Sequence, residues 1–162
     1  MFFKWTWNFR KTGYRVEKEN TIPEGLEESR RLEHCYPSLR EIVRLMQRDA
    51  KEIHGKALII TSVYRSPKKQ NELYQIGRRG VPREAPVTQL DGFERKSRHN
   101  EFPSTAVDFA VDEDPGIGIK ITWKPEEYKI IGVLAKKYGA EWGGDWKTFP
   151  DYPHVQLPRE LA

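Results

Sequence analysis

The chain has 162 residues and a mass of 19.0 kDa, enough for one domain that buries roughly 70% of its unfolded surface. With 37% apolar and 32% charged residues, 12 Gly and 11 Pro, it is neither fibrous nor largely disordered, and no run reaches the ~18 apolar residues of a membrane helix. The formal charge of +4 fits either an anionic partner or a merely solvated basic surface. The basic residues lie in scattered pairs such as Arg30-Arg31, Lys68-Lys69 and Lys136-Lys137, with no basic-aromatic stripe, so neither nucleic acid nor membrane is the expected partner. A single cysteine, Cys35, excludes an internal disulfide and any Cys-rich zinc module, and it suits a reducing compartment. The aromatic start is interrupted by Lys4, Asn8 and Arg10, leaving no apolar core of the ~7–15 residues a secretory signal needs. The expectation is a protein made in the cytoplasm.

In chain order, residues 1–30 read as an arm in which Phe3, Trp5, Trp7 and Phe9 alternate as in an edge strand, and residues 31–162 read as one domain. A helix is predicted to start after Pro37 and to run until Gly55. Ser38-x-x-Glu41 has the form of a capping box, and Leu39, Ile42, Val43, Met46, Ala50 and Ile53 keep helical spacing. Ala57–Val63 reads as a strand, with Leu58-Ile59-Ile60 buried on both faces. Ser66 as N-cap and Pro67 as first helical residue open a second helix closed by Gly77. Residues 78–96 form an unusually long loop without periodicity. Ala106–Val111 is a strand, Pro125 opens a third helix ended by Gly139, Trp142–Trp146 is a turn, and His154–Leu157 is a last short strand. The later strands are joined by brief connections. They predict an α+β fold with a small antiparallel sheet flanked by helices.

Two of the four histidines read as ordinary: His54 at a helix C-terminus and His34 at the surface. The other two have chemical surroundings. Asp108 shares a strand face with Ala106 and Ala110, opposite Val107, Phe109 and Val111. It is either a solvent-facing carboxylate or a buried one in need of a partner. His99 stands nine residues upstream in a loop, and His154 opens the last strand three residues after Asp151. That odd spacing requires the turn at Tyr152-Pro153 to re-aim one of the two. His99, Asp108 and His154 suit a catalytic Zn²⁺ with a fourth position for water, and a nearby second carboxylate suits a general base. Trp142 and Trp146 read as core.

Ser97-Arg98-His99-Asn100, Ala106-Val107-Asp108-Phe109 and Asp151-Tyr152-Pro153-His154-Val155-Gln156, in this order, resemble the zinc D-Ala-D-Ala carboxypeptidase and L-alanyl-D-glutamate endopeptidase family, which includes bacteriophage endolysins and has a hedgehog/DD-peptidase fold. Tyr64-Arg65-Ser66-Pro67 with Gln70, Leu73, Tyr74 and Gly77 is similar to the segment ahead of that family's metal motif, and Trp142-Gly143-Gly144-Asp145-Trp146 to its Gly-Asp-Trp turn. The likeness covers about residues 36–158. It departs at eight residues between His99 and Asp108 where six are commoner, and at Ser104 where Gly is frequent.

The resemblance implies one Zn²⁺ per chain on His99, Asp108 and His154, with Asp151 as base. It implies a catalytic or substrate-binding Arg65 (a structural ion pair being the other reading), and Ser97 and Gln70 as substrate contacts. The implied partner is a peptidoglycan stem peptide, cut by a monomeric L-alanyl-D-glutamate endopeptidase of the endolysin kind that is released from the cytoplasm onto the cell wall. A D-Ala-D-Ala carboxypeptidase and a non-catalytic wall-binding or protein-binding module are the alternatives.

Overall fold

The computed structural model describes residues 21–78 and 85–162; the alternating aromatics of residues 3–9 lie outside them. The chain runs through β1 (Glu28–Ser29), α1 (Pro37–His54), β2 (Ala57–Ser62), β3 (Tyr64–Arg65), α2 (Pro67–Gln75), β4 (Ala106–Asp112), β5 (Ile121–Thr122), α3 (Lys129–Lys137), β6 (Glu141–Trp142) and β7 (His154–Gln156). The antiparallel sheet has the order β2-β4-β7-β6, with β5 on the end of β4. The α+β reading holds. One core joins Leu39, Val43, Met46 and Ala50 of α1, Val107, Phe109 and Val111 of β4, and Ile131, Leu134 and Ala135 of α3.

Helix punctuation follows the sequence in most places. Ser66 Oγ accepts from Lys69 N at 3.1 Å, capping α2. Gly55 and Gly139 end α1 and α3 with φ of 63° and 80°, the left-handed region glycine enters at little cost. The capping box at Ser38 does not form. Tyr36 is the N-cap, Pro37 is the first helical residue, and Ser38 Oγ is buried without a hydrogen-bond partner among the described residues. Proline fixes the helix start one residue early, so Ser38 sits inside the first turn rather than outside it. Ile53 is 63% exposed, because residues 51–54 are all exposed and the last turn overhangs the core.

Three further expectations shift. β2 lies at the end of the sheet order, so Leu58 is buried but Ile59 and Ile60 are only half-buried. The strand closed on both faces is the central β4, in which Ala106 and Ala110 are buried along with Val107, Phe109 and Val111. The third helix begins at Lys129 rather than Pro125. Residues 125–128 close tighter turns, with Tyr128 N to Pro125 O at 3.2 Å, and the Tyr128 hydroxyl donates to Thr122 O at 3.1 Å. Finally, Glu28 and Ser29, read as arm, pair with Arg65 and Tyr64, so paired backbone starts before residue 31.

Register sets the site. Asp108 on β4 lies opposite His154 on β7 and opposite Ser62 on β2, where a bulge between Ile60 and Ser62 adds a residue to β2. Directly opposed residues of antiparallel strands share a face with Cβ atoms about 5 Å apart. The sheet therefore brings the Asp108 and His154 side chains together.

Candidate metal centre

His99 joins this pair from a 3-10 turn, Arg98–Asn100, capped at Ser97. His99 Nε2 lies 3.0 Å from Asp108 Oδ1 and 3.3 Å from His154 Nδ1, and His154 Nδ1 lies 3.0 Å from Asp108 Oδ1. A tetrahedral ion with ligand bonds near 2.0–2.1 Å places its ligand atoms about 3.3 Å apart. The triangle has nearly those edges.

The outer ring nitrogens are committed to protein groups. His99 Nδ1 faces Val63 O at 2.6 Å, and a carbonyl can only accept, so Nδ1 carries the proton and Nε2 offers its lone pair. His154 Nε2 faces Gln156 Oε1 at 3.1 Å, while Gln156 Nε2 donates to Glu141 Oε2 at 2.7 Å, which fixes the amide's orientation. Two imidazole lone pairs and a carboxylate oxygen thus converge on one point. Three acceptors so placed repel one another unless a positive charge lies between them. Burial pushes the His99 pKa down. At His154 burial works the same way, but the Asp108 and Asp151 carboxylates outweigh it and push the pKa up. Burial also opposes charge on Asp108, yet the two imidazoles hold that carboxyl well below its usual range. The residues present fit a small divalent cation, and the described residues contain the group His99, Asp108 and His154 as a set able to hold one.

Asp151 reaches the same groove through a tightly built loop. His154 N donates to Asp151 O at 3.2 Å, closing the expected turn at Tyr152-Pro153, and Asp151 N donates to Gly143 O at 3.0 Å. A Cβ on Gly143 would lie 2.5 Å from Asp151 O and 3.0 Å from His154 Cβ, so only glycine lets these segments approach. Trp142 is core, as expected. Its indole lies where Cβ atoms on Gly132 and Gly144 would be, 2.3 and 2.2 Å away, and its Nε1 donates to Tyr152 O at 2.8 Å. Burial and the Asp108 charge push the Asp151 carboxyl up to about 6.

Arg65, Gln70 and Ser97 also line the groove, which has a volume of about 570 Å³. Arg65 bonds Ser62 Oγ at 2.9 Å through Nε, Gln70 Oε1 at 3.0 Å through one terminal nitrogen, and the second oxygen of Asp108 through the other. Among the described residues, three of the five guanidinium N–H groups are engaged. Ser97 Oγ accepts from His99 N at 3.3 Å, and Ser97 N donates to Asn100 Oδ1 at 2.8 Å, so this serine shapes the turn that carries His99. Sequence reasoning missed Val63, Gln156 and Ser104 as supports of the ligands. Ser104 Oγ lies 2.8 Å from the same Val63 O that holds His99, giving the serine that replaces a frequent glycine a use. Trp146, read as core, is 38% exposed; its ring lies 5.0 Å from the His154 ring and forms part of the groove wall. His34 is half-buried against Phe102, with Nδ1 2.8 Å from Ser29 Oγ, and burial lowers its pKa.

The chain is similar to known proteins. Residues 92–157 match a family model described as D-alanyl-D-alanine carboxypeptidase, a span that includes His99, Asp108, Asp151 and His154. The resemblance carried by the motifs is borne out. The chain is 38% identical over 112 residues to the peptidoglycan L-alanyl-D-glutamate endopeptidase CwlK of Bacillus subtilis (strain 168), a match covering 64% of this chain and 62% of that protein. It thus spans less than two thirds of this relative. The crystal structure of Serratia marcescens L-Ala D-Glu endopeptidase ChiX is similar with a TM-score of 0.59 and 26% identity, over 80% of this chain and 85% of that one. The fold is the one ChiX has. Among the described residues no helix is long and apolar enough to cross a membrane.

Proposed function

We propose that the chain is a zinc-dependent peptidoglycan peptidase that hydrolyses a stem-peptide amide, the L-alanyl-D-glutamate bond in particular. The observation that carries this reading is the convergence of His99 Nε2, His154 Nδ1 and Asp108 Oδ1 within 3.0–3.3 Å, with Asp151 beside them in the groove. Two imidazoles and one carboxylate are a common ligand set for catalytic zinc, which supplies an acidified water and polarises a scissile carbonyl. Asp151 takes the proton of the attacking water on a carboxylate oxygen and passes it to the leaving amine nitrogen. Burial and the Asp108 charge make that carboxylate a better proton acceptor than a solvated one. The two N–H groups of Arg65 left unengaged among the described residues steady the developing oxyanion, while another of its donors holds Asp108.

The endopeptidase activity is preferred because CwlK and ChiX both carry it in their names, and a D-alanyl-D-alanine carboxypeptidase is the second reading, because the matching family model has that description. Mass spectrometry of digested wall fragments separates the two. The proposal expects new peptides beginning with D-Glu. Released free D-Ala supports the second reading, and intact stem peptides contradict both.

A further inference from the structure

Gln70 is 1% exposed, and every polar hydrogen and acceptor of its amide is directed at a defined partner. Its Oε1 accepts from Arg65 at 3.0 Å, and its Nε2 donates to Thr88 Oγ1 at 3.2 Å and Leu90 O at 3.0 Å. Residues 87–90 form one wall of the groove. The next turn is seated on the same side chain, because a Cβ on Gly92 would lie 2.8 Å from Gln70 Cβ and 2.6 Å from Pro67 O. In that turn Asp91 Oδ1 accepts from Phe93 N, Glu94 N and Arg95 N at 2.7, 2.9 and 3.1 Å. On the other side, Arg65 holds the Asp108 oxygen that is not in the ligand triangle.

We infer that Gln70 is a positioning residue through which metal occupancy orders the substrate-groove wall at residues 87–95. The inference rests on the metal reading of His99, Asp108 and His154. An ion bound at Asp108 Oδ1 fixes the carboxylate plane. The second oxygen then fixes the Arg65 guanidinium, whose planar fork admits one orientation that also serves Ser62 and Gln70. An amide whose oxygen is held by Arg65 can aim its nitrogen only at Thr88 and Leu90. Each link is a hydrogen bond with a defined direction, so order at one end is passed to the other. By thermodynamic reciprocity, a wall held in place must also tighten the metal.

Amide hydrogen exchange at Leu90, Phe93, Glu94 and Arg95, measured with Zn²⁺ alone and with a chelator, tests this without any substrate. In the wild type, Zn²⁺ should slow exchange at these amides by about 5-fold or more, the lower range of inter-site coupling. In Gln70→Met the slowing should vanish, and zinc affinity should fall by the same factor. Asn71→Ala is the control, since Asn71 Nδ2 anchors the same turn through Asp91 O at 3.1 Å but does not touch Arg65. It should speed exchange in both states and keep the zinc-dependent difference. If Gln70→Met does not fold, Arg65→Lys breaks the same route, because an ammonium cannot serve three partners in one plane. Zinc-independent exchange in a wild type that binds zinc overturns the inference, as does a zinc effect surviving in Gln70→Met or lost in Asn71→Ala. A wild type that binds no zinc instead overturns the metal reading itself.

Discussion

His99 and His154 meet nitrogen to nitrogen at 3.3 Å through different ring atoms, Nε2 of the first and Nδ1 of the second. The difference follows from where each side chain starts. His154 rises from β7 directly opposite Asp108, so its nearer nitrogen reaches the centre. His99 comes from the Arg98–Asn100 turn, so its farther nitrogen does. In each ring the remaining nitrogen meets a protein oxygen, Val63 O or Gln156 Oε1.

Gln156→Leu removes the acceptor of His154 Nε2 and the link to Glu141. Zinc affinity should fall 10–100-fold, the usual cost of losing such a support, while secondary structure is unchanged. Titration with a competing chelator measures it, and unchanged affinity would mean that β7 alone orients the ring.

Gly143→Ala puts a methyl 2.5 Å from the Asp151 carbonyl, a backbone atom that can yield only if the 151–154 loop moves. A displacement near 1 Å costs about 10²-fold in rate. Turnover should drop by that order while circular dichroism stays native. Wild-type turnover in this variant would show that the loop position is not critical.

Much of this site was legible in the sequence. The ligands sit in short motifs that resemblance picks out, although the register that brings Asp108 opposite His154 is long-range, and the caps at Ser66, Gly55 and Gly139 depend only on neighbouring residues. What could not be read came from long-range partners. Glu28 and Ser29 become a strand only because Tyr64 and Arg65 lie beside them. A two-residue strand carries no periodicity of its own. Gln156 supports His154 through a side chain bonded across to Glu141, a contact that no spacing encodes. Trp142 and Trp146 have equal hydrophobicity, and only packing on Gly132 and Gly144 decides which is buried.

Acid stability should depend on Asp49. Its carboxylate is buried on α1 and receives Lys137 Nζ at 2.5 Å, the Tyr138 hydroxyl, and Arg48 Nη2 at 2.8 Å. The Lys137, Tyr138 and Arg48 hydrogen bonds, in that order, hold its pKa well below the usual carboxylate range. A depressed folded-state pKa gives stability that is fully present above the unfolded value near ~3.9 and is lost as pH falls through the folded one. Urea unfolding of the chelated protein between about pH 5 and pH 2 should show wild type losing more stability than Asp49→Asn, which has no proton to gain there. Parallel curves would contradict the role of Asp49.

The proposed role of Asp151, a base beside a three-ligand zinc site, is probed by Asp151→Asn. The amide keeps the side chain's shape but cannot take a proton at neutral pH. Zinc content and turnover of stem peptide are measured on one preparation, with His99→Ala as the variant expected to lose the metal. Asp151→Asn should keep about one zinc per chain and turn over roughly 10²–10⁴-fold more slowly, the worth of a positioned general base. Zinc lost from Asp151→Asn, or turnover equal to wild type, would contradict it.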